Sequence, residues 1–439
     1  MTAATPAVVA AEHVVTADRV LAPGWLRIED GRIAMTGEGE PPEPATHRGH
    51  WALPGFIDMH VHGGGGASFT DGGPGDARRA AAFHRAHGTT RIVASLVTAP
   101  VDELAGRVAM LAALADEGVI DGIHLEGPFL SAARCGAQDP RYLVAPDLAA
   151  FERLRAAGRG WLKMITIAPE LPGALDVIRA ATAAGVIAAA GHTDASAEVT
   201  AAAVAAGVSH ATHLFNGMRP LSHRDPGPPG ALLDSQVTCE VIADGTHLHD
   251  TVVRLAARAV GPGNLVLITD AMAAAGMPDG TYVLGGLAVA VSGGVARLIP
   301  ANPARPANPA RPADPVRLAD PAGLADLGRL ADLGRLAELA HLADLADLGA
   351  RADLASLAGV LGAIAGSTAT MDQVVRHAIT AVGLPVPDAA AAAATTPARI
   401  LRLTGETGTL RRGLSADMVL LDKDFRLKTV IARGAVAPA

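Results

Sequence analysis

Lysine is almost missing from this chain of 439 residues: it occurs only at Lys163, Lys423 and Lys428, so arginine carries nearly all of the positive charge. No basic run interrupts a formal net charge of −8, which argues against nucleic acid or an anionic membrane surface as the main partner. Cysteine is as scarce. Cys135 and Cys239 cannot build a disulfide framework, and free thiols are the expected state of a reducing compartment. No uncharged apolar stretch of about 18 residues suggests a membrane span, and the first residues lack the basic start and apolar core of a signal peptide. The expected location is the cytoplasm. Aromatic residues make up only 3% of a chain that is 50% hydrophobic, so the core has to come from Ala, Val, Leu and Ile. That composition suits a parallel barrel filled by branched aliphatics.

What is present is a repeated pattern. Residues 1–52 alternate apolar and polar positions, with Asp30-Gly31 as a hairpin signal, and the same pattern returns over 405–439. The two ends are expected to pair into one small β-sandwich. Between them, short aliphatic runs alternate with Ala-rich helical stretches, the signature of βα units around a parallel sheet. The runs lie at 53–62, 90–97, 122–127, 163–169, 186–192, 211–215, 239–244 and 264–270. Eight such runs close a (β/α)8 TIM-like barrel, assigned to residues 53–299 and completed by 362–404. The break, 300–361, opens with ANPARPANPARPADP and continues with leucines that recur every third residue from Leu324 to Leu348. On a helix these leucines precess around the axis and hold no single face, so the segment is expected to be a poorly ordered insertion without a catalytic role; the alternative is an interaction helix.

The chemistry gathers at the ends of the runs. His60, His62, Glu126, His192, His213 and Asp270 all sit at or just past the carboxyl ends of their runs, the rim on which barrel enzymes build active sites. His60 and His62 are two apart on a strand and so share a side, where one metal ion could take both. Four imidazoles and two carboxylates suit one or two divalent transition ions such as zinc or iron. A bound metal makes water nucleophilic at neutral pH, and a neighbouring carboxylate can move the protons that amide hydrolysis demands. Asp270 is the candidate for that role, against a plainer reading as the N-cap of a helix over AMAAAG.

The segments LPGFIDMHVHG, IHLEGPFL, ITIAPE, AGHTDA, THLFNGM, IADGTH, ITDAM and IAGST, in this order and spacing, closely resemble the N-acetylglucosamine-6-phosphate deacetylases of the amidohydrolase superfamily. The resemblance covers almost the whole chain outside the insertion. It implies a homodimer that hydrolyses its sugar phosphate to glucosamine 6-phosphate and acetate. It also implies roles: Glu126, His192 and His213 as primary metal ligands, His60 and His62 as the pair for a second ion, Asp270 as catalytic acid-base. Ala137, Gln138, Asn216, Gly217, His247, Ile364, Ala365 and Gly366 correspond to sugar- and phosphate-binding positions. Arg224 corresponds to a phosphate-binding arginine supplied by the neighbouring subunit; its forked donors suit a phosphate, though without the resemblance it is an ordinary loop arginine.

Two features depart from that pattern. Gln138 stands where many members have histidine, and an amide cannot transfer a proton, so lower activity or altered specificity is expected. The insertion feeds directly into IAGST, a substrate loop. Two rival readings remain at this point. One is another amidohydrolase, of the cyclic-amidase or D-aminoacylase type; many of those bridge their metals with a carboxylated lysine, whereas Lys163 lies at the wrong end of its run. The other is a non-catalytic metal-binding assembly protein whose Leu-rich segment recruits a partner.

Overall fold

The computed structural model describes residues 7–299 and 362–438. The low-complexity insertion, with its Pro-rich and Leu-rich halves, lies outside the described residues. Eight strands form one parallel sheet in chain order: Phe56–Val61, Thr89–Val97, Gly122–Glu126, Leu162–Ile167, Ile187–Ala190, Val208–Ala211, Thr238–Val241 and Leu265–Leu267. The ring closes just past the eighth strand, where the Asp270 N–H donates to His60 O at 2.9 Å and the His62 N–H to Ala271 O at 2.8 Å. Helices follow each strand, from Pro74–Ala86 after the first to Met371–Thr380 after the eighth.

Alternation explains the layers. Outward positions such as Leu96, Ile123, Leu125, Ile165, Ile167, Val241 and Leu267 join helix residues such as Leu104, Val108, Val177 and Val253 in the main core. Inside the ring, Ile57, Met59, Val93, Met164, Ala189 and Val266 form a second aliphatic cluster with Ala398 and Leu401. Alanine dominates several helices, so they lie close to the sheet, and polar caps define their starts. Asp147 accepts from the Ala150 N–H at 2.7 Å and Ser196 from the Val199 N–H at 3.3 Å.

The sequence places the sixth run at 211–215, but the strand is Val208–Ala211, so His213 stands beyond it in a turn. The aliphatic signal of Leu214 and Phe215 belongs to that turn. A three-stranded antiparallel sheet, Gly280–Leu284, Leu287–Ser292 and Val295–Leu298, follows the eighth barrel strand and was not anticipated. Its signals are Gly285-Gly286 and Gly293-Gly294, tight-turn pairs whose N–H groups donate to Asp71 and Asp279 respectively.

The two chain ends do pair. Strands Ala7–Val15, Gly24–Glu29, Arg32–Glu38 and His47–Pro54 join Met418–Leu421 and Leu427–Ala432 in one sheet, and Val9, Leu26, Ile33, Leu420 and Ile431 share one core in this small β-sandwich. Arg91, 3% exposed at the start of the second barrel strand, ties this domain to the barrel. Its guanidinium meets Asp417 at 2.9 Å, Glu406 at 2.9 Å and Asp121 at 3.0 Å. Burial opposes the charge, yet Asp417 and Asp121 outweigh it and hold Arg91 above its ordinary pKa. Removing one member of a buried ion group strands the others, so Arg91→Ala is expected to cost about 3–5 kcal/mol in denaturant unfolding, while the metal content of the surviving folded protein stays normal. A change under about 1 kcal/mol would show the cluster to be solvated.

Candidate active site

The six rim residues converge. In the first barrel strand a register shift between Asp58 and Val61 accompanies the turn of His60 into the ring, while Val61 packs outward, so His60 and His62 face one another with Nε2 atoms 3.1 Å apart. Glu126 ends the third strand, and its Oε1 lies 2.9 Å from both His192 Nε2 and His213 Nε2. Those two nitrogens are 3.1 Å apart. Asp270 Oδ1 lies 3.2 Å from His62 Nε2 and 3.4 Å from His60 Nε2. Glu126 touches both sets, with Oε2 3.3 Å from His62 Nε2. Two candidate ligand groups result, Glu126 with His192 and His213, and His60 with His62 and Asp270.

The backbone at three of these residues is unusual. His192, His213 and Asp270 have φ of +47°, +25° and +51°, a left-handed region that costs a residue with a Cβ of order 1 kcal/mol. Each follows its strand by two or three residues, and the reversal turns the side chain over the mouth of the ring. Asp270 caps no helix: residues 271–276 form a bridge and turns.

The donor atoms call for a cation. His192 Nδ1 lies 2.9 Å from the Arg134 carbonyl, which places a proton on Nδ1 and leaves the Nε2 lone pair facing Glu126 and His213. His60 Nδ1 likewise donates to Glu240, so its Nε2 faces His62 and Asp270. Electron-rich atoms at such separations repel unless protons or a metal ion lie between them. With protons alone in that role, the histidines hold them tightly. Burial works against the charged form of His62, but its contacts with Asp270 and Glu126 prevail and its pKa rises to about 9. His60 and His192 are also raised, against burial, with Glu126 as the main opposing charge. Glu126 and Asp270 are held below the usual carboxylate range: burial favours their neutral forms, and the histidines override it. The donor set fits a divalent metal, which would take the place of these protons.

A cavity of about 270 Å³ opens above the two groups. His62, Glu126, His192, His213 and Asp270 form its polar floor, and Ala137, Gln138, Asn216, Gly217, His247, Ile364 and Gly366 line it. The loop that follows the insertion therefore reaches the pocket. Ala365, fully buried beside it, turns its N–H to Ala296 O at 3.0 Å and does not line the cavity. Arg224 lies apart on the exposed loop around residues 221–226 and does not reach the pocket of its own chain. Gln138 is held from both ends: its Oε1 accepts the Thr98 N–H at 2.7 Å, which turns its amide N–H₂ to Glu126 Oε2, also at 2.7 Å. Gln138 thus orients a candidate ligand. His247 Nδ1 sits 2.8 Å from Asp244 Oδ2; burial opposes protonation, but that contact raises its pKa.

Gly217 has φ of +58°, and a Cβ there would lie 2.9 Å from His192 Nδ1. Gly217→Ala is expected to push the imidazole aside, and a misplacement on the order of 1 Å near the reacting atoms costs about 10²-fold in turnover. Circular dichroism should stay unchanged; full activity would mean that the loop shifts instead of the ring. Sequence reasoning passed over Glu240, His210 and His124, all buried inside the ring. The one visible signal was a lone charge in an aliphatic run, Glu240 in CEVIAD.

Residues 51–437 match the model of the Amidohydrolase family. The N-acetylglucosamine-6-phosphate deacetylase of Lysinibacillus sphaericus is 31% identical over 420 residues, covering 94% of this chain and 92% of that protein. The chain belongs to the amidohydrolase family, among its N-acetylglucosamine-6-phosphate deacetylases. Another relative in this amidohydrolase group, the N-acetylgalactosamine-6-phosphate deacetylase of Escherichia coli O157:H7, is 32% identical, covering 97% of this chain and 99% of its own. A variant of the Mycobacterium smegmatis N-acetyl-D-glucosamine-6-phosphate deacetylase, solved in complex with N-acetyl-D-glucosamine-6-phosphate, superposes with a TM-score of 0.81 at 39% identity, covering 99% of this amidohydrolase and 100% of that chain.

Proposed function

We propose that this amidohydrolase removes the acetyl group of N-acetylglucosamine 6-phosphate, giving glucosamine 6-phosphate and acetate, with Asp270 as general base and then general acid. The observation that carries this reading is that two candidate ligand groups meet where Glu126 of one touches His62 of the other, on the floor of one pocket at the carboxyl rim of the barrel. Glu126, His192 and His213 would hold the primary ion, zinc or iron, and His60, His62 and Asp270 a second. A divalent cation held there supplies the Lewis acidity that makes water nucleophilic at neutral pH and polarises an amide carbonyl. Asp270 takes the proton of the attacking water and returns it to the leaving nitrogen. Gln138 steadies Glu126 through its amide. Ala137, Asn216, Gly217, His247 and the Ile364–Gly366 loop would bind the sugar.

Lys163 gives no support to a carboxylated-lysine centre. It lies at the opposite end of the barrel from the rim, with Nζ 3.1 Å from Gly160 O. The deciding experiment is acetate release, measured on N-acetylglucosamine 6-phosphate and its galacto epimer, before and after chelation and re-addition of Zn(II) or Fe(II). Metal binding without acetate release from either sugar would favour the assembly-protein reading and end this one.

Arg224 would reach the phosphate in the neighbouring subunit's pocket of a homodimer. Arg224→Ala is then expected to raise KM for the phosphorylated sugar about tenfold or more, with little change for an unphosphorylated analogue. Equal effects on both would take Arg224 out of the phosphate site. No helix among the described residues is long and apolar enough to cross a membrane.

A further inference from the structure

Glu240 is fully buried on the seventh barrel strand. Its Oε2 accepts from His60 Nδ1–H at 3.1 Å and from the His213 backbone N–H at 3.1 Å, and its Oε1 from His210 Nε2–H at 2.9 Å. His210 is fixed in turn by a 2.6 Å contact between Nδ1 and Thr238 Oγ1. A carboxylate inside a barrel is costly unless donors meet its lone pairs, and a valine or isoleucine would fill the ring without that cost. The donors come from the first and sixth strands and from the turn after the sixth. Two of those residues belong to different candidate ligand groups.

We propose that Glu240 is a positioning residue that fixes the tautomer of His60 and so sets the affinity of the His60, His62 and Asp270 group for its cation. This rests on the metal-dependent reading above. With its proton held on Nδ1 by Glu240, His60 presents a bare Nε2 towards His62 and Asp270. His192 is oriented the same way, but by the neutral Arg134 carbonyl. An anionic acceptor makes the far nitrogen the stronger donor to a metal. Among the described residues the Nδ1 atoms of His62 and His213 are buried without a hydrogen-bond partner. Each group therefore has one oriented imidazole, and only the second group's is oriented by a charge.

Glu240→Gln keeps an oxygen for His60 and the His213 N–H while removing the charge. The test uses the full-length chain, stripped of metal and titrated with Zn(II), with bound ions counted. Wild type should take two ions; the variant should keep the first with unchanged affinity and bind the second about 10–100-fold more weakly. Unchanged binding of both ions overturns the proposal. So does loss of both together with a lower Tm, the result expected of a purely structural residue. Should the variant not fold, ¹⁵N spectra of zinc-loaded wild type decide: His60 must show a protonated Nδ1 and a coordinated Nε2, and the reverse arrangement overturns the assignment. A wild type that binds one ion and releases acetate overturns this inference alone. A wild type that binds no zinc and releases no acetate instead removes the proposed function on which it rests.

Discussion

Asp270→Asn is expected to lower kcat by about 10³-fold or more, within the range that positioned acid-base groups contribute, while KM and the ion held by Glu126, His192 and His213 change little. Asparagine has the shape of aspartate and keeps an oxygen near His60 and His62, so the pocket should survive. What it cannot do is accept a proton from water and return it to an amine. Steady-state kinetics with metal analysis on the same preparation separates the two effects. Near-normal turnover would strip Asp270 of its role; complete loss of metal would make it chiefly a ligand.

Glu126→Gln should be more severe, because this carboxylate meets His192 and His213 through one oxygen and His62 through the other. An amide has one weaker acceptor oxygen, and its N–H₂ would either take the ligand position beside His192 and His213, where it cannot bind a cation, or face the Gln138 N–H₂, donor against donor. Loss of both ions and of measurable turnover is expected, beyond the 10–100-fold typical of residues that only orient a ligand. His192→Ala, which removes one ligand and leaves Glu126 in place, should lose metal in the same direction. Metal counts after dialysis check both variants. Two retained ions in Glu126→Gln would mean that the histidines alone form the centre.

The barrel was legible because its strands are short aliphatic runs and its candidate ligands are histidines and acids near the ends of those runs. Local pattern carries that much. It carried less where a residue matters through its neighbours across the ring. Glu240 is a lone charge in an aliphatic run until the closed barrel sets it beside His60 and His210, and Gln138 is a loop amide until Thr98 turns it towards Glu126. His213 was placed within a strand because Leu214 and Phe215 read as strand residues. The small sheet over 280–298 went unnoticed although its glycine pairs mark both turns. Of the positions expected to bind the sugar phosphate, Ala137, Gln138, Asn216, Gly217, His247, Ile364 and Gly366 line one cavity, whereas Ala365 and Arg224 do not.

Arg91 has one further consequence. Because a single guanidinium answers to carboxylates at positions 121, 406 and 417, the last stretch of the polypeptide neutralises a charge lodged in the hydrolase ring itself. Heating should then melt both parts in one transition, and a version trimmed of its final 35 or so residues would leave two carboxylates fewer around that guanidinium, with Asp121 still beside it.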